Sequence, residues 1–239
     1  MNSYPTTSAV QKIMTLLGVI LFCYLVNTYS QISFISNYLA FLNPPSRGAI
    51  FERHFWQFMF GFIAIGFLSR GHLWSYGINS QNLKVSMKWL MWVYSAVFIV
   101  TFLIRISGGE LLPIRSDEMP GNAKETVIAL LIYWMSSPVA NQILFFGFAQ
   151  TILLKQFGDT NKIAGIPFVI FISALLFMFY GIETTFAIGR LSLIVSFAVG
   201  IYSGFVYWKT NSLIAPMLAH AFVFGFPLVA ELCSLAFTQ

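Results

Sequence analysis

Seven apolar stretches, each long enough to cross a membrane as a helix, dominate this sequence. They cover approximately residues 10–30, 53–69, 86–106, 126–155, 163–181, 186–208 and 212–237. A bilayer core is crossed by roughly 20 helical residues. Only 9% of the residues are charged, whereas a soluble domain carries about 25%. The sequence therefore predicts an all-α, polytopic transmembrane helix bundle that forms a single integral membrane domain, residues 1–239.

Two of the stretches leave the number of helices open. Residues 126–155 are too long for one perpendicular crossing, so we expect this helix to be tilted or to extend beyond the bilayer. Pro227 can break the last stretch into a span and a short extra helix. We therefore expect seven or eight helices. Strands are not expected, because no segment alternates as a membrane barrel requires, and "LNPPSRG", residues 42–48, is typical of a turn.

The charged residues give little information about orientation. We favour an N-terminus on the inner side, although the basic residues divide almost evenly between the two sides. The inner set is Lys12, Arg70, Lys84, Lys88, Lys155, Lys162 and Lys209, and the outer set is Arg47, Arg53, Arg105, Arg115, Lys124 and Arg190. No basic cluster is interleaved with aromatic residues, so nucleic acid is not an expected partner.

Metal-binding patterns are not found. Cys23 and Cys233 both lie in apolar stretches and suggest no metal motif. No set of His, Cys, Asp or Glu has the spacing of metal ligands. We therefore expect neither a metal site nor a cofactor. The expected surroundings of the chain are the membrane lipid bilayer.

Small residues recur every four positions along the sixth stretch. They are Ser192, Ser196, Gly200 and Gly204. Small side chains at this spacing allow a second helix to approach closely in lipid. We favour a helix contact within the chain, and a dimer contact is the alternative.

An amide pair interrupts the fourth apolar stretch. In "ANQILFFGFAQ", residues 140–150, Asn141 and Gln142 lie in an otherwise almost unbroken apolar run. A buried amide without hydrogen bonds costs roughly 1–3 kcal/mol. The pair therefore forms interhelical hydrogen bonds or lines a polar pocket that binds something.

From this stretch onward, over residues 126–237, the sequence resembles the CAAX-protease and bacteriocin-processing family, also called the Abi family. That family places a Glu-Glu-x-x-x-Arg motif in one helix, just before a glycine. Here "NQILFFG" is in the same place, so Asn141 and Gln142 stand for the two glutamates and Phe146 for the arginine.

Two later motifs of the family are also recognisable. For Phe-x-x-x-His this chain has "FMFYG", which keeps Phe177 and has Gly181 in the place of the histidine. For His-x-x-x-Asn or Asp it has "TNSLIAPMLAHAFVF", which keeps His220 and has Phe224 in the place of the amide or acid. The chain is therefore identified as a degenerate member of the family.

The resemblance implies an activity that these substitutions remove. Family members with the full motif cleave peptide bonds inside the membrane: a glutamate takes a proton from a water held by histidines, and an asparagine stabilises the oxyanion. Amides cannot act as the base, and Phe224 donates nothing to an oxyanion. No catalytic residue is expected.

The resemblance to degenerate members implies a scaffold or regulator of another membrane or envelope protein, in a prokaryotic inner membrane. The alternative is an intramembrane endopeptidase with a displaced site, for instance Glu183 with His220. A transporter or channel is less favoured, since no intramembrane charge array is found. His220 either donates to a neighbouring carbonyl or binds a ligand together with the amides.

Three further ionisable residues are interpreted as lying near the membrane surface. His54 and His72 flank the second stretch and are expected at membrane–water interfaces. Glu231 is expected near the far interface if the last stretch continues as a helix past Pro227.

Overall fold

The structure is a computed structural model that describes residues 8–32, 45–106, 123–181 and 190–223. Its α-helices are α1 Ala9–Tyr29, α2 Pro45–Ser69, α3 Leu83–Ile106, α4 Ala123–Asn141, α5 Thr151–Phe157, α6 Phe168–Leu176, α7 Arg190–Thr210 and α8 Ile214–Val223. A 3₁₀ turn covers Leu73–Tyr76, and two π-helical segments cover Gln142–Gln150 and Phe177–Gly181. The prediction of an all-α bundle is confirmed.

Helix α1 begins where a capping motif predicts a helix start. Ser8 Oγ accepts from the backbone N–H of Gln11 at 3.2 Å, and Gln11 Oε1 accepts from the backbone N–H of Ser8 at 3.0 Å. This reciprocal pair satisfies two backbone N–H groups that lack partners within the helix.

Helix α2 begins earlier than the sequence analysis expected. The turn expected at residues 42–48 is wrong at its second half, because α2 starts at Pro45. Proline suits the first position of a helix, where its missing N–H is not needed and its φ is already helical. The earlier start places residues 53–57 well inside the helix.

A two-residue hairpin joins α5 to α6, so the expectation of no strands is wrong. Strand β1, Lys162–Ile163, pairs antiparallel with β2, Ile166–Pro167. Between them Ala164 has φ 49° and Gly165 has φ 81°. Two consecutive residues with positive φ are what a tight hairpin turn of this length requires.

The fourth apolar stretch is one continuous helix, Ala123–Phe157, that changes from α to π and back to α. All nine residues of the first π segment, Gln142–Gln150, are buried. Gly147 allows this close packing, since a Cβ there would lie 3.1 Å from both Tyr76 O and Leu213 Cδ1. The segment is therefore the centre of the core.

The small residues of α7 contact the helices beside it in the same chain. A Cβ on Gly200 would lie 2.9 Å from Ala174 Cβ, and a Cβ on Gly204 would lie 2.6 Å from Gln150 Oε1. Ser196 is also buried, while the side chain of Ser192 lies outside the described set. The α7 backbone thus packs directly against α6 and the first π segment.

Many apolar side chains point outward, as in a membrane protein. Leu17 and Leu21 of α1 and Phe67 of α2 are among the exposed large apolar residues. Three described helices are long and apolar enough to cross a membrane, namely Ala9–Tyr29, Ala123–Phe157 and Leu193–Thr210. Two shorter apolar helices cover Phe168–Tyr180 and Ile214–Val223. The larger number of seven or eight spans stays a prediction.

Candidate functional site

The motif positions of the fourth and last stretches come together in the core. Gln142, the first residue of the first π segment, is fully buried, and His220 of α8 is only 3% exposed. Gln142 Nε2 lies 3.2 Å from His220 Nδ1. The amide nitrogen can only donate, so Nδ1 accepts and the histidine proton is on Nε2. One hydrogen bond therefore joins two helices through residues that are 78 positions apart in sequence.

Asn141 is held by its own helix. Its Nδ2 donates to Ser137 Oγ at 3.1 Å, one turn earlier in α4, and both side chains are buried. The two adjacent amides therefore face different partners: Asn141 contacts α4 itself, whereas Gln142 reaches α8.

Aromatic rings enclose His220 on another side. Phe177 packs edge-on against the imidazole with centroids 5.3 Å apart, and Phe146 lies 5.8 Å from the ring of Phe177. Phe146, the position that stands for the family's arginine, is thus part of an apolar wall. A charged side chain at this position would not be hydrated, because Phe146 is fully buried.

His54 is a member of this site that the sequence analysis placed wrongly. It is 1% exposed rather than interfacial, because α2 starts at Pro45 and carries it more than two turns into the helix. Its Nδ1 lies 2.9 Å from Gln57 Oε1, and it is close enough to His220 for the two rings to interact electrostatically. The site therefore contains two histidines, one from α2 and one from α8.

A sequence signal for His54 does exist. His54, Gln57, Gly61 and Ile65 follow one stripe of α2 at spacings of three and four, and all four are buried. A glycine and an isoleucine on the same stripe indicate that this face packs inward. A histidine and a glutamine there are consequently core residues. By contrast, His72 is exposed in the turn after α2.

Amide groups in this site keep hydrogen-bonding capacity. Gln57 Nε2 and Gln142 Oε1 are buried and make no hydrogen bond among the described residues. Gln57 contacts His54 through Oε1, and Gln142 contacts His220 through Nε2. A buried polar atom of this kind is costly unless something satisfies it. Gln57 and Gln142 therefore each keep one polar atom that can take part in a further hydrogen bond.

A buried carboxylate lies on the same helix as His54. Glu52 is 2% exposed, and its Oε1 accepts from Trp56 Nε1 at 3.2 Å. Residues two apart on a helix do not share a face, so Glu52 and His54 point in different directions. The next residue, Arg53, donates from Nη2 to Asn27 Oδ1 at 2.7 Å and connects α2 to α1.

A second buried polar layer, at Gln150 and Thr151, lies roughly two turns beyond the amide pair. Gln150 Nε2 donates to Gly204 O at 2.8 Å, and Thr151 Oγ1 lies 2.6 Å from Tyr207 Oη. Both contacts join the fourth stretch to α7. Polar side chains therefore connect the helices at two levels of the bundle.

Several candidate residues lie at or beyond the limits of the described ranges. Gly181 is the last residue of the second π segment, and Phe224, Glu183 and Glu231 lie outside the described residues. Within the described ranges no group of three or more His, Cys, Asp or Glu side chains is placed to hold a metal ion. The expectation of no metal and no cofactor stays a prediction.

Comparison with known proteins supports the resemblance. Residues 123–225 match the family model described as type II CAAX prenyl endopeptidase Rce1-like. The comparisons with curated proteins and with solved structures each found no match. The family resemblance is confirmed over this range, while the loss of its catalytic groups and the core boundaries of 126–237 stay predictions. His54 and Gln57 lie outside the matched residues.

Proposed function

On the premise that residues 123–225 make this chain a CAAX-protease-like membrane protein, we propose that it is non-catalytic. It acts as a scaffold or regulator that binds another membrane or envelope protein. We place it, as a multi-pass protein, in a prokaryotic inner membrane. The proposal assigns the amide pair and the buried histidine to structure and binding rather than to proton transfer.

The hydrogen bond between Gln142 and His220 carries this proposal. Resemblance implies a glutamate at position 142, whose carboxylate would take a proton from water. An amide accepts hydrogen bonds but takes no proton in the accessible pH range. Gln142 donates to Nδ1 of His220, which is the one histidine that this chain keeps from the family motifs. This histidine therefore contacts an amide at a position where the resemblance implies a carboxylic acid.

The same hydrogen bond suits a structural role. An interhelical side-chain hydrogen bond in a membrane contributes roughly 0.6 kcal/mol on average. Removing a glutamate also removes an intramembrane charge, which is costly to keep without a function. Replacement of carboxylates by amides therefore favours a stable binding protein over a peptidase.

One observation favours an intramembrane endopeptidase as the second candidate. His54 and His220 are both buried and lie within electrostatic range of each other, so His54 is a candidate for the second histidine that is missing at Gly181. A displaced site would pair these histidines with a carboxylate from elsewhere, such as Glu183. This alternative requires chemistry that depends on His220.

The experiment is complementation of a deletion strain, run alongside measurement of membrane abundance and of proteins captured by crosslinking. The variants are His220→Gln and His54→Gln, which keep hydrogen-bonding capacity but remove the imidazole. We expect both variants to complement and to capture the same partner as the unchanged chain. Gly204→Leu is the control, and its abundance should fall.

The two candidates differ in their outcomes. Loss of complementation by His220→Gln at normal abundance, with the partner still captured, favours the peptidase. Failure of the unchanged chain to capture any partner reproducibly contradicts the scaffold role.

A further inference from the structure

One end of the bundle, which we call the basic end, brings together segments that are far apart in sequence. The start of α1 meets the end of α5, where Lys12 Nζ lies 6.0 Å from the ring centroid of Phe157. The segment after the 3₁₀ turn meets the turn between α7 and α8, where Leu213 N donates to Gly77 O at 3.0 Å. The hairpin β1–β2 also lies here, since Lys162 reaches the ring of Trp208 near the end of α7.

The charges of this end have almost one sign. Seven of the chain's 13 Lys and Arg residues lie here, and they are Lys12, Arg70, Lys84, Lys88, Lys155, Lys162 and Lys209. The chain has eight Asp and Glu residues. Of those that the structure describes, Asp159 lies at this end. At the opposite end, by contrast, two of the described cations are adjacent in sequence to an acidic residue, Arg53 to Glu52 and Lys124 to Glu125.

Aromatic rings fix the positions of several of these lysines. Lys155 Nζ lies 4.2 Å from the ring centroid of Tyr76. Lys162 and Lys209 share one ring, with Nζ atoms 5.5 and 4.0 Å from the centroid of Trp208. An ammonium over an aromatic face keeps N–H donors available for an anion. Two cations are thus held close together around Trp208.

Exposed apolar side chains lie among the cations. Trp74 of the 3₁₀ turn, Ile163 of the hairpin and Phe168 at the start of α6 are 55%, 50% and 43% exposed. Tryptophan is enriched at the level of the lipid headgroups, where its apolar ring and polar N–H are both satisfied. Cations beside such residues are therefore expected at the depth of the lipid phosphates.

We propose that the basic end binds anionic phospholipid headgroups, with Lys162 and Lys209 beside Trp208 as the principal phosphate contact. The charge of the end complements a surface rich in anionic lipid, and the cytoplasmic leaflet of a cell membrane has a negative surface potential. The proposal does not depend on whether the family site is catalytic. It uses residues outside that site.

The test measures thermal unfolding of the full chain in mild detergent with added phosphatidylglycerol or phosphatidylcholine. We expect phosphatidylglycerol to raise Tm by more than phosphatidylcholine does. A high-salt condition, about 0.5 M NaCl, should reduce this difference in Tm, because salt screens exposed charges. Lys162→Gln combined with Lys209→Gln should lose at least half of the difference. Lys124→Gln, at the opposite end, is the matched control and should keep it.

The possible outcomes separate the lipid from other anions. Equal shifts with the two lipids on the unchanged chain overturn the proposal, and this comparison needs no variant to fold. An equal effect of the double variant and Lys124→Gln overturns the assigned contact. A shift of the same size with inorganic phosphate alone overturns the lipid as the ligand.

Discussion

Gln150 donates its side-chain N–H to the backbone carbonyl of Gly204 at 2.8 Å, a contact that is available because Gly204 has no side chain. A Cβ at this position would lie 2.6 Å from Gln150 Oε1 and 2.9 Å from Ile170 Cγ2. We expect Gly204→Leu and Gly200→Leu to lower the free energy of unfolding by about 1–3 kcal/mol through overpacking. Ile201→Leu, on the same helix, should change it much less. Thermal unfolding in detergent checks this, and equal Tm values for the three variants would refute the contact.

The position of His54 in the core gives a second prediction. His54→Ala should lower the free energy of unfolding by about 1–3 kcal/mol, since it leaves a buried partner, Gln57, without its hydrogen bond. His72→Ala removes an exposed histidine and should stay within about 0.5 kcal/mol. Denaturation of both variants side by side is the measurement. A similar loss for both would mean that His54 is interfacial after all.

Restoring the acids should not restore cleavage. We expect Asn141→Glu with Gln142→Glu to produce no peptide cleavage, because Phe146 supplies no positive charge to two buried carboxylates. The double variant should also be less stable than the unchanged chain. Mass spectrometry of an apolar peptide incubated with the purified variant is the readout. Cleavage products that depend on the double substitution would contradict the prediction.

Orientation follows from the basic end. If this end faces the cytoplasm, Ser80→Cys is protected from a membrane-impermeant maleimide in intact cells and labelled in inverted vesicles. Lys124→Cys, at the opposite end, should show the reverse pattern. Both are made with Cys233→Ser, while Cys23 is buried. Labelling of Ser80→Cys in intact cells would reverse the orientation.

The sequence predicted the helical bundle well, because long apolar runs are a strong signal. It also indicated the approach of Gln142 to His220, since the order of three motifs implied which helices meet. The small residues of α7 were recognisable because Gly200 and Gly204 repeat at helical spacing.

The structural features that the sequence analysis missed have only short, local signals in the sequence. His54 was misplaced because "LNPPSRG" has the composition of a turn, although Pro45 begins a helix. The hairpin at Lys162–Pro167 was missed because strands of two residues show no alternation. The π segments were not expected either, since their wider turns depend on the packing around Gln142–Gln150 rather than on composition.

The continuous helix Ala123–Phe157 is long enough to reach from one membrane surface to the other. Its 35 residues give a rod of roughly 52 Å at about 1.5 Å per residue, well beyond a hydrocarbon core of about 30 Å. A rod of this length tilts further when the bilayer thins. Its middle section, Gln142–Gln150, is buried among neighbouring helices, and Pro138 lies just before that section. We therefore expect a change of tilt to be taken up by bending near Pro138 and the π segment, where helices bend most readily.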